Sequence, residues 1–382
     1  MISLHWERTV IANGFANNRT FPMSTEKKKY TIKRNDLSAD KSLRAWSAAD
    51  EYLLQEFTAL AEKPAHLAIY NDRFGFLGCN LHSYQPTIVL TQKSQEKAIK
   101  ANLQKNYLSF LDFSNPLASF EKELDFAIIK VPKSLALFQL FLEQIANNST
   151  QEVTVIAAFM TRHFSPKLLQ IAESYFEVVE QTKALKKARV MVLRKKKEIV
   201  KRELLRALEY NHKKYQQYSG VFSADHIDYA TQYFLKYLQV EETDQCILDL
   251  GSGNGVIANE IFKQSPTAEI HLLDDAYLAV ASAQLNIQGE NIHHHFNDDL
   301  SPFKEETFDL IVTNPPFHFE YEINIQIPIQ LFKACFRCLK KGGNLQLVSN
   351  KHLNYKTHLE KIFPSVQMLA DNEKFIIYQC VK

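Results

Sequence analysis

Short apolar runs alternate along this chain with stretches whose apolar positions recur at helical spacing. Runs at His66–Tyr70, Thr87–Leu90, Asp125–Val131 and Glu152–Ala157 predict strands, and Trp46–Leu60 predicts a helix capped by Ser47. The later half repeats the alternation, with buried strands expected at Ile247–Leu250, Ile270–Leu273 and Phe308–Thr313. Strands that alternate with helices imply an α/β fold with a parallel sheet. Residues up to about Ser42 are polar and irregular and carry no assignment. A charged stretch from about Lys195 to Lys214 reads as a helical connector. After it, Tyr218–Ser223 leads into a helix through Asp228 and Leu238, with Ser223 as N-cap. These features put a boundary near residue 200 and predict domains at 1–200 and 201–382.

The first half reads as a worn copy of the second. Leu67–Gly75 lies where Leu248–Gly255 lies later, Thr87–Thr91 parallels Ile270–Asp274, and Leu124–Pro132 parallels Thr307–Pro315. Val190–Leu193 closes the first unit much as Phe375–Tyr378 closes the second. The first copy lacks the chemistry of the second. It has no three alternating glycines, so a large side chain is expected at each former glycine, blocking close approach of a ligand. Its second strand ends in Thr91 instead of an acid, and Lys130-Val131-Pro132-Lys133 replaces Asn314-Pro315-Pro316-Phe317.

In the second copy, a strand ending in Asp249 and Leu250 runs into Gly251, Ser252, Gly253, Asn254 and Gly255 before a new helix. Glycines there let the backbone turn with positive φ and let a ligand meet the bare main chain at a helix N-terminus. About twenty residues on, Asp274 ends the next strand, where a doubly wound fold places an acid for a ribose hydroxyl. The strand Phe308–Thr313 ends in Asn314-Pro315-Pro316-Phe317, because two prolines cannot continue a ladder.

Composition bounds the rest. The 382 residues can bury two cores, no window is apolar enough to span a membrane, and Met1–Arg8 is no secretory signal. The five cysteines are scattered, and Cys335 and Cys338 fall in a helical pattern with no second pair, which fits reduced thiols in the cytoplasm. The net charge of +2 announces no nucleic-acid partner by itself. Its distribution does more: Lys186, Lys187, Arg189, Arg194, Lys195, Lys196, Lys197, Lys201 and Arg202 stand against Glu198 alone. That run fits a solvated strand end and linker, and equally a phosphate-binding surface. His293-His294-His295 suggests a metal, but strand neighbours alternate faces and no acid or cysteine completes a ligand set; no metal is expected.

The glycine turn, Asp274 and Asn314-Pro315-Pro316-Phe317, in this order, resemble the class I methyltransferases that use S-adenosylmethionine on a planar nitrogen. Gly220-Val221-Phe222-Ser223 with Ile227-Asp228, then His318, Leu339–Gly343 and Asn350–Tyr355, narrow the resemblance to the bacterial ribosomal RNA guanine-N2 methyltransferases. The similarity spans nearly everything after about residue 40, and Leu359–Lys382 looks more like the large-subunit enzyme than the small-subunit one. Ser252 departs from a common cysteine and Ala230 from a usual glycine.

The resemblance implies two tandem class I, Rossmann-like methyltransferase folds, the N-terminal one degenerate. It also implies that Phe222, Ser223, Asp249, Gly251, Gly253, Asn254, Gly255, Asp274 and Asn314 contact S-adenosylmethionine. Asn297 and Asp298 sit where the family places adenine contacts, and which of the two reaches the base stays open. Asn314, Pro315, Pro316 and Phe317 would be catalytic. The Asn314 side-chain oxygen and the Pro315 carbonyl would accept the hydrogens of an exocyclic amine, with Phe317 as a stacking face.

The leading expectation is therefore methylation of guanine N2 in ribosomal RNA, 23S favoured over 16S. Lys130, Lys133, Lys186, Lys187, Arg194, Lys196 and Lys197 would hold RNA, with no membrane or metal involved. A glutamine-N5 protein methyltransferase presents the same amide hydrogens to Asn-Pro-Pro-aromatic but resembles only the C-terminal half. A non-catalytic RNA-binding assembly factor would not need the intact glycines, Asp274 and Asn314.

Overall fold

The computed structural model describes residues 20–22, 29–34, 43–60, 63–198, 204–221, 223, 226–315, 318–319, 322–323 and 326–382. Phe222, Pro316, Phe317, Lys201 and Arg202 lie outside them.

A short ribbon, β1 (Thr20–Pro22) with β2 (Lys29–Thr31), precedes the first large unit. That unit runs α1 (Ala48–Leu60), β3 (Leu67–Tyr70), α2 (Phe76–Asn80), β4 (Thr87–Val89), α3 (Lys93–Lys105), β5 (Phe113–Ser114) and β6 (Leu124–Lys130). It closes with α4 (Leu135–Asn147), β7 (Ser149–Met160), α5 (Pro166–Glu173), β8 (Phe176–Gln181) and β9 (Ala188–Lys196). A hairpin of β10 (Leu205–Tyr210) and β11 (Lys213–Tyr218) follows.

The second unit begins α6 (Tyr229–Phe234), β12 (Cys246–Leu250), α7 (Val256–Gln264), β13 (Glu269–Asp274), α8 (Tyr277–Asn286), β14 (Ile292–Phe296) and β15 (Phe308–Thr313). The ribbon β16 (His318–Phe319) and β17 (Glu322–Ile323) comes next. The chain ends with α9 (Gln326–Cys338), β18 (Leu339–Asn350), α10 (Lys356–Leu359), β19 (Ser365–Asp371) and β20 (Phe375–Val381).

The two large sheets have one topology. The first is ordered β5-β4-β3-β6-β7-β9-β8 and the second β14-β13-β12-β15-β18-β20-β19, each parallel until its last two strands. Their central strands are buried on both faces, which is why they read as unbroken apolar runs in the sequence. The worn-copy reading holds at the level of strand order.

Register makes the correspondence residue by residue. Tyr70 pairs with Val89 and Ile129, as Leu250 pairs with Leu273 and Thr313. Asn71, Arg73 and Gly75 therefore stand for Gly251, Gly253 and Gly255. The expectation of a large side chain at every former glycine needs correction: Gly75 is retained at φ 79°, and Asn71 keeps the left-handed turn at φ 61°. Leu90, not Thr91, takes the place of Asp274, and Lys130 takes that of Asn314.

Two local expectations fail. The charged connector is not helical over its described residues, 195–198 and 204–214: Lys195 and Lys196 end β9, and the chain from Leu205 runs as two paired strands that turn at Asn211-His212. Both turn residues have positive φ, the two-residue geometry that matches strand twist. Leu208 and Tyr215 of the hairpin are buried in the second core. Ser223 is not the N-cap of the helix after it. That helix starts at Tyr229, and its cap is Asp228, whose carboxylate accepts from the backbone N–H groups of Ala230 and Thr231. Ser223 has φ 58° and its hydroxyl donates to the carbonyl of His226.

Candidate functional site

The second sheet divides between β12 and β15. From β12 the chain steps outward through β13 to β14, and from β15 it steps the other way to β18. Ligands of open α/β sheets bind in the crevice at this reversal, outside the carboxyl ends of the strands. The glycine turn leaves β12 there and Asn314 leaves β15 there, one residue beyond the paired Leu250 and Thr313.

The three glycines do different work. Gly251 donates its N–H to the Leu273 carbonyl at 2.8 Å and fixes the turn against β13. A Cβ on Gly253 would meet nothing within 4 Å, so the main chain lies open there. A Cβ on Gly255 would lie 3.3 Å from the Cβ of Ala283, so this glycine serves close packing of α7 on α8. Asp274 holds the turn: its carboxylate accepts from the Gly253 N–H at 2.9 Å and the Ala276 N–H at 2.8 Å. Asp249 is fully buried behind it, with Oδ2 capping the Ala258 N–H at 3.0 Å. Its Oδ1 has no partner among the described residues. Burial, with repulsion from Asp274, pushes the Asp249 carboxyl up to about 8 against the pull of the Ala258 N–H.

Asn314 is held from the far side of the crevice. Its amide nitrogen donates to Asp228 Oδ2 and to Thr231 Oγ1, both at 3.0 Å. Both N–H bonds are thereby used, so the side-chain oxygen is left as a pure acceptor. Pro315 is buried and fixes the backbone that follows. Asp228 and Thr231 are not among the site residues that the sequence predicts. Their signal was there: an aspartate directly before an apolar helical pattern, with a threonine three residues on.

The other expected residues fall in different places. Asn254 is buried and turned away, its amide donating to Gln217 of the hairpin at 2.9 Å. Asn297 lies on the site, its N–H on the Asp274 carbonyl at 3.1 Å. Asp298 is engaged from the first unit by Lys97. The Asn297 side-chain oxygen accepts from the Asp298 N–H at 3.0 Å, so both side chains have a partner. Phe222, Pro316 and Phe317 are outside the described residues.

Among the described residues, ligand atoms of Cys246, Glu269 and His271 lie within 4.8 Å of one another, a group that includes none of His293, His294 and His295. His271 Nδ1 meets His295 Nε2 at 2.9 Å, and burial with the neighbouring imidazoles brings the His271 ring down to about 4. This group sits about 10 Å down β12 from Asp249, at the opposite end of the sheet from Asn314.

The basic residues do not form one patch. Lys130 pairs with Asp50 at 2.9 Å and Lys186 with Glu51 at 2.9 Å, while Tyr52 of the same helix donates to the Lys183 carbonyl. With exposed Lys133 and Lys187 they gather at the carboxyl edge of the first sheet. Arg194, Lys196 and Lys197 stand at the far end of β9, about 30 Å away for an extended strand. There Arg194 meets Glu180 at 3.3 Å, Lys196 donates to the carbonyls of Ala146 and Ser149, and Lys197 to that of Glu173.

Known proteins match over both units. The family model for the RLMG N-terminal domain matches residues 21–197, and that for the methyltransferase small domain matches 213–379. The ribosomal RNA large subunit methyltransferase G of Psychromonas ingrahamii is 30% identical over 368 residues, covering 92% of this chain and 96% of the relative. The protein of that name from Yersinia pestis (strain Pestoides F) is 31% identical and covers 89% of each. A 16S rRNA N2 methyltransferase of T. Thermophilus, solved in complex with AdoMet and guanosine, shares the fold. Its TM-score is 0.74 at 21% identity, over 95% of this chain and 98% of the other.

Proposed function

The chain belongs to the ribosomal RNA large subunit methyltransferase G family, and on that premise we propose that it methylates the exocyclic N2 of one guanine in 23S ribosomal RNA. The observation that carries the reading is the Asn314 amide, whose two N–H bonds are taken by Asp228 and Thr231 and whose oxygen is thereby left as an acceptor at the end of β15.

S-adenosylmethionine, when bound, supplies a methyl carbon already activated by a sulfonium. The residues present fit it: the space over Gly253 admits a ligand to the main chain, Asp274 lies beside it, and Asp249 keeps an unpaired buried oxygen for a cationic partner. Among the described residues the first unit does not repeat this arrangement, since Arg73 stands for Gly253 and Leu90 for Asp274.

The lone pair of a guanine N2 amine is delocalised into the ring, which makes it a poor nucleophile. Asn314 Oδ1 and the Pro315 carbonyl accept its two hydrogens and so hold the nitrogen in line for attack. Both acceptors are rigid, one through its anchored amide and the other through the proline ring. They stabilise the positive charge that grows on nitrogen as the new bond forms. The step needs no metal, because the electrophile is cationic before it binds.

Mapping methylated guanines in ribosomal RNA from cells with and without this chain tests the assignment. Loss of one N2-methylguanine in 23S RNA supports it. Loss of a 16S mark moves the substrate to the small subunit, and methyl transfer to a protein glutamine refutes the RNA reading.

A further inference from the structure

We propose that the degenerate N-terminal unit completes the cofactor site of the other unit, through Ser94 and Lys97 as positioning residues. This rests on the assignment of that site to S-adenosylmethionine.

The two units meet at equivalent turns. The Lys93 N–H donates to the Asp275 carbonyl and the Tyr277 N–H to the Thr91 carbonyl, each at 2.9 Å, around an antiparallel bridge between Gln92 and Ala276. By register these are the same two positions in each copy. The turn of the dead copy that would have carried a ribose acid is docked on the turn that still carries one.

The docking reaches the ligand-facing groups. Asp275 follows Asp274, and its carboxylate accepts from the Ser94 N–H at 2.8 Å and from the Ser94 hydroxyl at 2.7 Å. Ser94 is in the first turn of α3, where helix N–H groups favour an anion. One turn on, the Lys97 ammonium binds Asp298 and meets Asp299 at 2.8 Å. Asp298 follows Asn297, whose N–H is on the Asp274 carbonyl. Ser94 and Lys97 thus hold, from outside, both loops that flank Asp274 at the mouth of the crevice. Freed of them, the Asn297–Asp299 loop keeps its backbone tie to β13 but loses its anchor on α3, and the site must be ordered when the cofactor binds.

Calorimetric titration of the full chain with S-adenosylmethionine, and separately with ribosomal RNA, tests this. Because the Lys97 pair is partly exposed, Lys97→Met should weaken cofactor binding by roughly two- to fivefold. The loss should appear in the KM for cofactor with kcat kept, RNA affinity should not move, and Lys97→Arg should restore binding. Asp299→Asn, which removes a half-exposed carboxylate and leaves the core alone, should repeat the effect. Unchanged cofactor affinity in Lys97→Met and Asp299→Asn, or a loss confined to RNA affinity, overturns the clamp alone. A wild-type chain that binds no S-adenosylmethionine overturns the assignment of the site instead.

Discussion

Asn314 Nδ2 lies 3.0 Å from Asp228 Oδ2, a bond between residues 86 positions apart that ties the tip of β15 to the cap of α6. The same carboxylate oxygen accepts from the Ala230 and Thr231 N–H groups, so one aspartate both starts the helix and orients the amide. Asn314→Ala should lose most turnover while cofactor binding persists, since its acceptor matters chiefly in the transition state. If one lost acceptor weighs about as much as one lost oxyanion donor, the fall is on the order of a hundredfold. Thr231→Val removes only one of the two anchors, and about a two- to tenfold fall in kcat is expected. Single-turnover methylation with saturating cofactor measures both, and equal loss of cofactor affinity would refute the assignment.

The glycines should separate function from stability. Gly253→Leu fills the open space over the main chain and is expected to abolish cofactor binding with the fold intact, apart from about 1–2 kcal/mol for a left-handed side chain. Gly255→Leu drives into Ala283 as well and should destabilise the unit well beyond that. Asp274→Ala releases the Gly253 and Ala276 N–H groups and should weaken binding too. Denaturation midpoints and calorimetry, read together on the three variants, check the separation. Full cofactor affinity in Gly253→Leu would place the site elsewhere.

Cofactor affinity should depend on pH through Asp249. Its carboxyl stands at about 8 in the free protein, so below that it is mostly protonated. A cationic ligand favours the ionised form, so binding should release a proton below about pH 8. Affinity should then rise with pH and level off above it. Stability runs the other way: the folded state holds this proton where the unfolded chain has lost it, so this group's contribution declines as pH rises from about 4 to 8. Titrations in buffers of different ionisation enthalpy count the proton. No uptake or release at pH 6.5 would rule Asp249 out.

Much of this was legible in the sequence for identifiable reasons. Buried parallel strands leave continuous apolar runs, and a turn with positive φ leaves glycines, so Ile247–Gly255 and Phe308–Pro315 announced both walls of the crevice. What stayed hidden depended on partners distant in the chain. Asn254 looked like part of a ligand loop until Gln217 of the hairpin claimed its amide. Gly255 looked like its two neighbours until α8 packed against it. The hairpin itself was masked by lysines and arginines, which suit a helix and a strand alike, so only Asn211-His212 marked the turn. The run of basic residues was real, but a strand laid it out across the sheet and gave its two ends different neighbours.

That division bears on how RNA is gripped. The bridge between Gln92 and Ala276 joins turns at the carboxyl edges of both sheets, and Lys133, Lys186 and Lys187 lie along that edge of the first sheet. Arg194, Lys196 and Lys197 lie at the opposite end, and Lys196 is spent on two backbone carbonyls. A pocket that takes one base needs phosphate contacts nearby to position a structured RNA. Reversing Lys133, Lys186 and Lys187 to glutamate should weaken RNA binding and flatten its salt dependence. Each phosphate lost should remove roughly 0.7 to 0.9 from the slope of log affinity on log salt. Reversing Arg194 and Lys197 should leave that slope nearly unchanged. Cofactor affinity, measured on the same proteins, should hold in both sets. If the second set flattens the slope and the first does not, RNA crosses the other end of the sheet and the grip has been placed on the wrong edge.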